Sequence, residues 1–348
     1  MENNFEDRIK KIKAIKSKEK DDESDIKLGK VLGEGVEGKV YLVNIDDYDV
    51  ALKVNDVLNK NNIKPKSLSQ QQMLSAEGVS EFFASRLINI LIDEKINPHF
   101  VYNYKSYISK SNKLFSLNEF IKSESLRKFL SQMKKKKLLT KELVFNIFFQ
   151  ILVALHSLQK NFGMIHADLH FENILIAKVD AKKDEFWEYI INGKKYYLPN
   201  LGYQIYLNDY GYAMIPDVLG KTWYVNFFRN ITNTNKYNLY DLLLVRFEML
   251  KYFGPHFNKF FFKYFNYQET DEYLKKSDIP FFPQDLDVLD IIELLFSKND
   301  VSKCKAFEWY CFDNEKPPND KIIESYNLDK AIEIDKITKA LTRRITIK

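Results

Sequence analysis

His166-Ala167-Asp168-Leu169-His170-Phe171-Glu172-Asn173 runs directly into the apolar stretch 174–177. A carboxylate at 168 and an amide at 173, held just ahead of a strand, are placed to accept a hydroxyl proton and to hold a divalent cation. Alone the stretch is ambiguous, because His, Asp and Asn also populate ordinary turns. The rest of the chain decides between turn and site.

Upstream, Gly33-Glu34-Gly35-Val36-Glu37-Gly38 leads into Lys39-Val40-Tyr41-Leu42-Val43, a β-branched and aromatic run. Three glycines so spaced let a hairpin loop approach phosphates and turn backbone N–H groups toward them. Dinucleotide binding would require a helix opening at the third glycine, and here a strand follows instead. A second strand, 50–54, carries one lysine, Lys53, in an otherwise apolar segment. Such a lysine is either an edge strand's defence against pairing or a ligand-binding cation.

Bulk properties narrow the class. The 348 residues are 45% apolar with 27 Phe and 21 Tyr, which argues for one large domain or two joined lobes with a packed core. Cys304 and Cys311 have no histidine near them and read as reduced thiols of an intracellular protein. The first 20 residues lack a secretory apolar core, and no unbroken apolar run has the length of a membrane span. A net charge of +5, from 53 bases and 48 acids, does not imply nucleic acid as a partner.

In chain order, Phe5, Ile9, Ile12 and Ile15 predict an amphipathic helix within an N-terminal extension, 1–25. Either it docks on the first lobe or its lysines meet a membrane or partner. A helix over 79–93 contains Phe82, Leu87, Ile90 and Leu91 at helical period, and strands are expected at 101–108 and 114–120. A short helix at 125–133 precedes the Lys134–Lys137 run, read as a solvated face or an acidic-substrate dock. Thr140 opens a long apolar helix over 143–159, strands follow at 174–177 and 203–207, and Asn192–Gly193 between alternating apolar residues signals a hairpin. The last third is helical and aromatic, with helices expected at 237–252, 257–265, 286–296 and 329–341.

Residues 33–40, 53, 81, 166–173 and 209–211 together resemble the eukaryotic-type protein kinase superfamily. The resemblance covers about residues 26–330 and implies a bilobal α+β fold, with a small β-rich N-lobe at 26–120 and a larger, mostly helical C-lobe at 121–348. An inserted hairpin is expected at about 178–202. The resemblance implies that Lys53 grips the phosphates of ATP and pairs with a helix glutamate. Glu77, Glu81 and Glu94 compete, and Glu81 is preferred because apolar periodicity continues beyond it. It further implies nucleotide-binding positions at Gly33, Gly35, Gly38, Val40, Ala51, Lys53, Glu119 and Ile121, with 119–122 as the hinge whose backbone meets adenine. Asn173 and Asp209 would hold Mg²⁺ or, alternatively, Mn²⁺. Asp168 would orient and deprotonate the acceptor, His170 would stand where the family's usual lysine contacts the transferring phosphate, and Asp241 would tie a central helix to the loop.

Departures from the family are informative. Ala167 replaces the usual arginine, Asp209-Tyr210-Gly211 stands for Asp-Phe-Gly, and no Ala-Pro-Glu follows. His170, the hairpin insert and the Asp-Tyr pair look more like the haspin branch, and kinases of large DNA viruses are similarly divergent. A composition heavy in Lys, Asn, Ile, Phe and Tyr would suit such a source, with host cytoplasm or virion as the location. The expected reaction is transfer of the γ-phosphoryl of ATP to a serine or threonine hydroxyl of a protein, without phosphorylation of Thr222 or its neighbours. A small-molecule phosphotransferase of aminoglycoside or choline type and a catalytically silent scaffold are the alternatives.

Overall fold

The computed structural model describes residues 4–18, 28–35, 38–56, 64, 80–215, 240–253, 288–296, 312–342 and 346–347. Asn4 caps helix α1 (Phe5–Lys18), its Oδ1 accepting the Asp7 N–H at 2.8 Å. The expected stripe of Phe5, Ile9, Ile12 and Ile15 is buried, so α1 docks on the protein rather than standing in solvent. Strands β1 (Val31–Glu34), β2 (Gly38–Ile45) and β3 (Tyr48–Asn55) follow. Asp46 and Asp47 close the β2–β3 hairpin, both in the left-handed region at φ 44° and 72°, the pairing a two-residue turn needs to match strand twist. Gly38 is required by close approach, since a Cβ there would lie 2.0 Å from the Val54 carbonyl oxygen.

Helix α2 (Ser80–Asp93) and strands β4 (Asn103–Ile108) and β5 (Leu114–Glu119) complete the first lobe's main elements. After β6 (Ser123–Ser125), Ser125 caps α3 (Leu126–Lys135), and Thr140 caps α4 (Lys141–Phe162) by accepting the Leu143 N–H at 3.1 Å. Gly163 ends α4 at φ 58°, a left-handed residue whose N–H returns to Gln159. By length and composition α4 would pass for a membrane span, but 83% of that window is buried inside the fold, which marks it as the core helix. Then come β7 (Ile174–Lys178), β8 (Phe186–Ile191), β9 (Lys194–Pro199), β10 (Tyr203–Leu207), α5 (Tyr240–Phe253), α6 (Val288–Leu295), β11 (Ile322–Asn327), α7 (Ile334–Thr342) and β12 (Thr346–Ile347).

The strands form three sheets. The first has the order β1-β2-β3-β5-β4-β12, the second β10-β7-β6 and the third β11-β8-β9. The molecule is thus a bilobal α+β fold, with a sheet-rich first lobe and a more helical second part whose core surrounds α4. The β8–β9 hairpin turns through Asn192 and Gly193 at φ 53° and 73°, as the dipeptide foretold. Asp329 caps that turn, its carboxylate accepting both turn N–H groups at 2.8 and 2.7 Å.

Two features had no expectation. β11 joins the hairpin in parallel with β8, and residues 346–347, inside the range expected for the second lobe, pair in parallel with β4 of the first. Both are long-range pairings with no local turn signal to announce them. Helix 257–265, both cysteines and Thr222 lie outside the described residues.

Candidate active site

Alternation along β3 sorts its side chains onto two faces. Val50 and Leu52 are buried with Ile15, Val43 and Leu117, which leaves Ala51 and Lys53 on the opposite face, with Val40 of β2 in register with Lys53. From there Lys53 Nζ donates to Glu81 Oε2 at 2.9 Å and to Asp209 Oδ1 at 2.8 Å. Glu81 is buried in the first turn of α2. Burial alone would lower the Lys53 pKa, but the facing carboxylates outweigh it and hold the ammonium well above its ordinary value. Burial likewise works against an ionised Asp209, and Lys53, with smaller help from His166 and the Gly211 N–H, brings its pKa below the usual carboxylate range. Of the competing glutamates, Glu94 at the other end of α2 pairs instead with Lys330, at 2.9 Å, and Lys336. Glu77 lies outside the described residues.

The loop 166–173 is held from behind. Asp241, fully buried in the first turn of α5, accepts the His166 and Ala167 N–H groups at 2.8 Å each. Burial raises the Asp241 pKa, opposed by His166 and by those two N–H donors. His166 is buried too, its Nε2 3.0 Å from the Asn208 carbonyl and its ring 4.9 Å from that of Tyr210. It is therefore packed beneath the loop, between Asn208 and Tyr210. Ala167 and Asp209 both have left-handed backbones, φ 65° and 62°, which L-residues adopt at a cost of about 1–2 kcal/mol each. Strain of that kind, held by buried partners, concentrates at functional sites.

Asn173 Nδ2 donates to the Asp168 backbone carbonyl at 2.9 Å and to its carboxylate at 3.1 Å, so the amide oxygen is the atom not spent on Asp168. The Asn173 carbonyl accepts the Asn208 N–H at 3.0 Å, which sets the loop beside the residue that precedes Asp209. His170 Nε2 lies 3.5 Å from Asp168 Oδ2. At the glycine-rich turn, Gly35 N–H bonds the Gly38 carbonyl at 2.9 Å. Among the described residues, a methyl group added at Gly33 or Gly35 would meet nothing within 4 Å.

Glu119 and Ile121 sit where β5 leaves the first sheet. The Ile121 side chain packs with Val101, Ala177 and Tyr206. The Glu119 carboxylate turns inward, where Arg8 of α1 forks onto it at 2.8 and 2.7 Å. No sequence reading placed Arg8 near the site. A signal was present, because Arg8 stands on the same helical face as Phe5, Ile9 and Ile12, where a cation must find a buried partner.

The clustered groups suit a polyphosphate and a hard cation. One ammonium is fixed between two carboxylates, the amide oxygen of Asn173 and the Asp209 carboxylate are hard donors, and a carboxylate stands beside the Asn173 amide.

Residues 26–185 match the family model of protein tyrosine and serine/threonine kinases. The chain is 24% identical over 232 residues to the probable serine/threonine-protein kinase 380R of Invertebrate iridescent virus 6, which covers 63% of this chain and 42% of that protein. It is 26% identical over 214 residues to the serine/threonine-protein kinase haspin of Bos taurus, covering 51% of this chain and 26% of haspin. To the putative serine/threonine-protein kinase R301 of Acanthamoeba polyphaga mimivirus it is 34% identical over 107 residues, 28% of this chain and 27% of that protein. The chain thus spans less than half the length of each of these relatives. A solved BubR1 kinase domain overlays 57% of this chain and 49% of its own at 20% identity and a TM-score of 0.40, a likeness too loose to add to the topology above.

Proposed function

We propose that this chain, which carries a divergent eukaryotic-protein-kinase-like domain related at low identity to viral and haspin-like serine/threonine kinases, transfers the γ-phosphoryl of ATP to serine or threonine hydroxyls of proteins. The observation that carries the reading is Lys53, bound at once to Glu81 of α2 and to Asp209 after β10, on the sheet face beside the glycine-rich turn. Three segments far apart in sequence meet there in the charge pattern that phosphoryl transfer needs.

In the reaction, Lys53 orients the α and β phosphates and the backbone of 33–38 covers them. The acceptor hydroxyl is oriented by Asp168, whose carboxylate takes the proton as the oxygen bonds to the γ-phosphorus. The bond from that phosphorus to the β–γ bridging oxygen breaks, and ADP carries the electron pair away. Mg²⁺, or Mn²⁺ in its place, supplies neutralisation of phosphate charge, and Asn173 and Asp209 are the residues that would hold it. His170, beside Asp168, is suited to an oxygen of the transferring group. The backbone of Glu119 to Ile121 would meet adenine.

With alanine at 167, the loop offers no cation there to a phosphorylated activation segment, which supports activity without phosphorylation. Relatives in large DNA viruses support action inside a host cell or virion. The test is incubation of the purified protein with MgATP and a denatured lysate, with aminoglycoside and choline acceptors in parallel. New phosphoserine and phosphothreonine peptides are expected. Transfer confined to the small alcohols would make the chain a small-molecule phosphotransferase, and ATP binding with no turnover would make it a scaffold.

A further inference from the structure

We propose that Arg8 is a positioning residue for the adenine end of the nucleotide site, fixing the start of the hinge from the side opposite the ligand. The inference rests on the nucleotide reading given above. Arg8 is 4% exposed, and its guanidinium reaches three separate parts of the fold. It forks onto Glu119, the last residue of β5, at 2.8 and 2.7 Å. It donates to the Pro98 carbonyl at 2.6 Å and also to the Phe100 carbonyl, in the segment between α2 and β4. Its charge lies 5.0 Å from the ring centroid of Tyr206, on the strand that runs toward Asp209.

These contacts close a frame. Glu119 Oε2 accepts the Tyr102 N–H at 3.2 Å, and the Glu119 N–H donates to the Tyr102 carbonyl at 2.8 Å. One step back, the Leu207 N–H bonds the His99 carbonyl at 2.9 Å. The hinge entry, the 98–102 segment and β10 are therefore joined around one planar cation.

Burying that ion pair is poorly explained by stability, since apolar side chains of similar volume commonly hold a helix in place as well or better. What a bidentate guanidinium adds is direction: it fixes both the distance and the plane of the Glu119 carboxylate, and so the backbone that carries it. That backbone is where adenine would bond. Lys53 pairs with Glu81 and Asp209, toward the phosphates, whereas Arg8 bonds Glu119, Pro98 and Phe100, so Arg8 should govern adenine affinity and leave phosphate chemistry alone.

The test uses the full chain with two variants at Arg8 alone, Arg8→Gln, which removes both the charge and the fork, and Arg8→Lys, which keeps the charge and loses the fork. Adenosine and MgATP binding are measured by calorimetry, and KM for ATP and kcat by turnover, with circular dichroism confirming folding. The expected result for Arg8→Gln is a roughly tenfold weaker affinity for adenosine, a matching rise in KM for ATP and a kcat at saturating ATP within about twofold of wild type. Arg8→Lys should fall between Arg8→Gln and wild type, and it carries the test by itself if Arg8→Gln does not fold. Wild-type adenosine affinity in the folded variants, or a loss of kcat at unchanged KM, overturns the inference. Failure of the wild-type protein to bind either adenosine or MgATP would instead overturn the function proposed above.

Discussion

His99 shows how much one side chain can set. It is fully buried, with Nδ1 3.1 Å from the Ile205 carbonyl and Nε2 2.9 Å from the Tyr189 hydroxyl, so it is held neutral. Burial first, and the nearby Arg8 charge after it, push its pKa down from 6.5 to about 3 against the pull of the Ile205 carbonyl. Because the folded value lies below the unfolded one, the stability tied to this residue is complete above about pH 6.5 and is lost as pH falls toward 3. At pH 5 the loss should be about 2 kcal/mol. Urea unfolding at pH 7 and pH 5 should show wild type losing that much more than His99→Gln, and equal losses would contradict a buried neutral imidazole. Residue-scale legibility was uneven in the same way. Glu81 could be chosen over Glu94 because an apolar period extends beyond it, and the Lys53 pairing at 2.9 Å agrees with that choice. Arg8 could not be matched to Glu119, because nothing local links two residues so distant in the chain.

Among the elements, α2 matters most, because it carries Glu81 and is braced along its length. α7 packs against it, with Ile337, Ala340 and Leu341 on the main core, and Arg86 donates to the Ala340 carbonyl at 3.2 Å. Lys330 and Lys336 hold Glu94 at the far end. Replacing Ile337 and Leu341 by Asp should therefore raise amide exchange through 80–93 and lower turnover, as α2 loses a side of its packing. Exchange unchanged in 80–93 would show that α2 keeps its place without α7. A second expectation concerns the segment after Gly211. A phosphate adds about −1.5 to −2 of charge and orders a segment only where cations wait for it, and position 167 is apolar here. Phosphatase-treated protein and Thr222→Ala should both turn over at the wild-type rate. A fall of about tenfold on dephosphorylation, recovered with ATP, would mean that another basic group, such as Lys221 or Arg229, reads the phosphate. Helices, hairpins and their caps were legible because period, Asn–Gly and Thr140 are local signals. β11 and β12 were not, because parallel pairing between segments distant in the chain leaves no short-range trace.

At the scale of the molecule, a strand, a helix and two loops far apart in sequence bring Lys53, Glu81, Asp168, Asn173 and Asp209 toward one region, while α1 spans two core clusters and reaches Glu119 at the end of β5. The bilobal α+β architecture could be read ahead because its motifs fall in order along the chain. The bracing by both ends of the chain could not, because it depends on tertiary contacts alone. The proposed function turns on Asp168 as the residue that serves phosphoryl transfer. Its most direct test is single-turnover transfer of labelled γ-phosphate to serine and threonine residues of a protein acceptor, comparing wild type with Asp168→Asn at matched MgATP occupancy. The variant is expected to bind MgATP within a few-fold of wild type and to transfer at least about a hundredfold more slowly. Wild-type transfer by Asp168→Asn would contradict it.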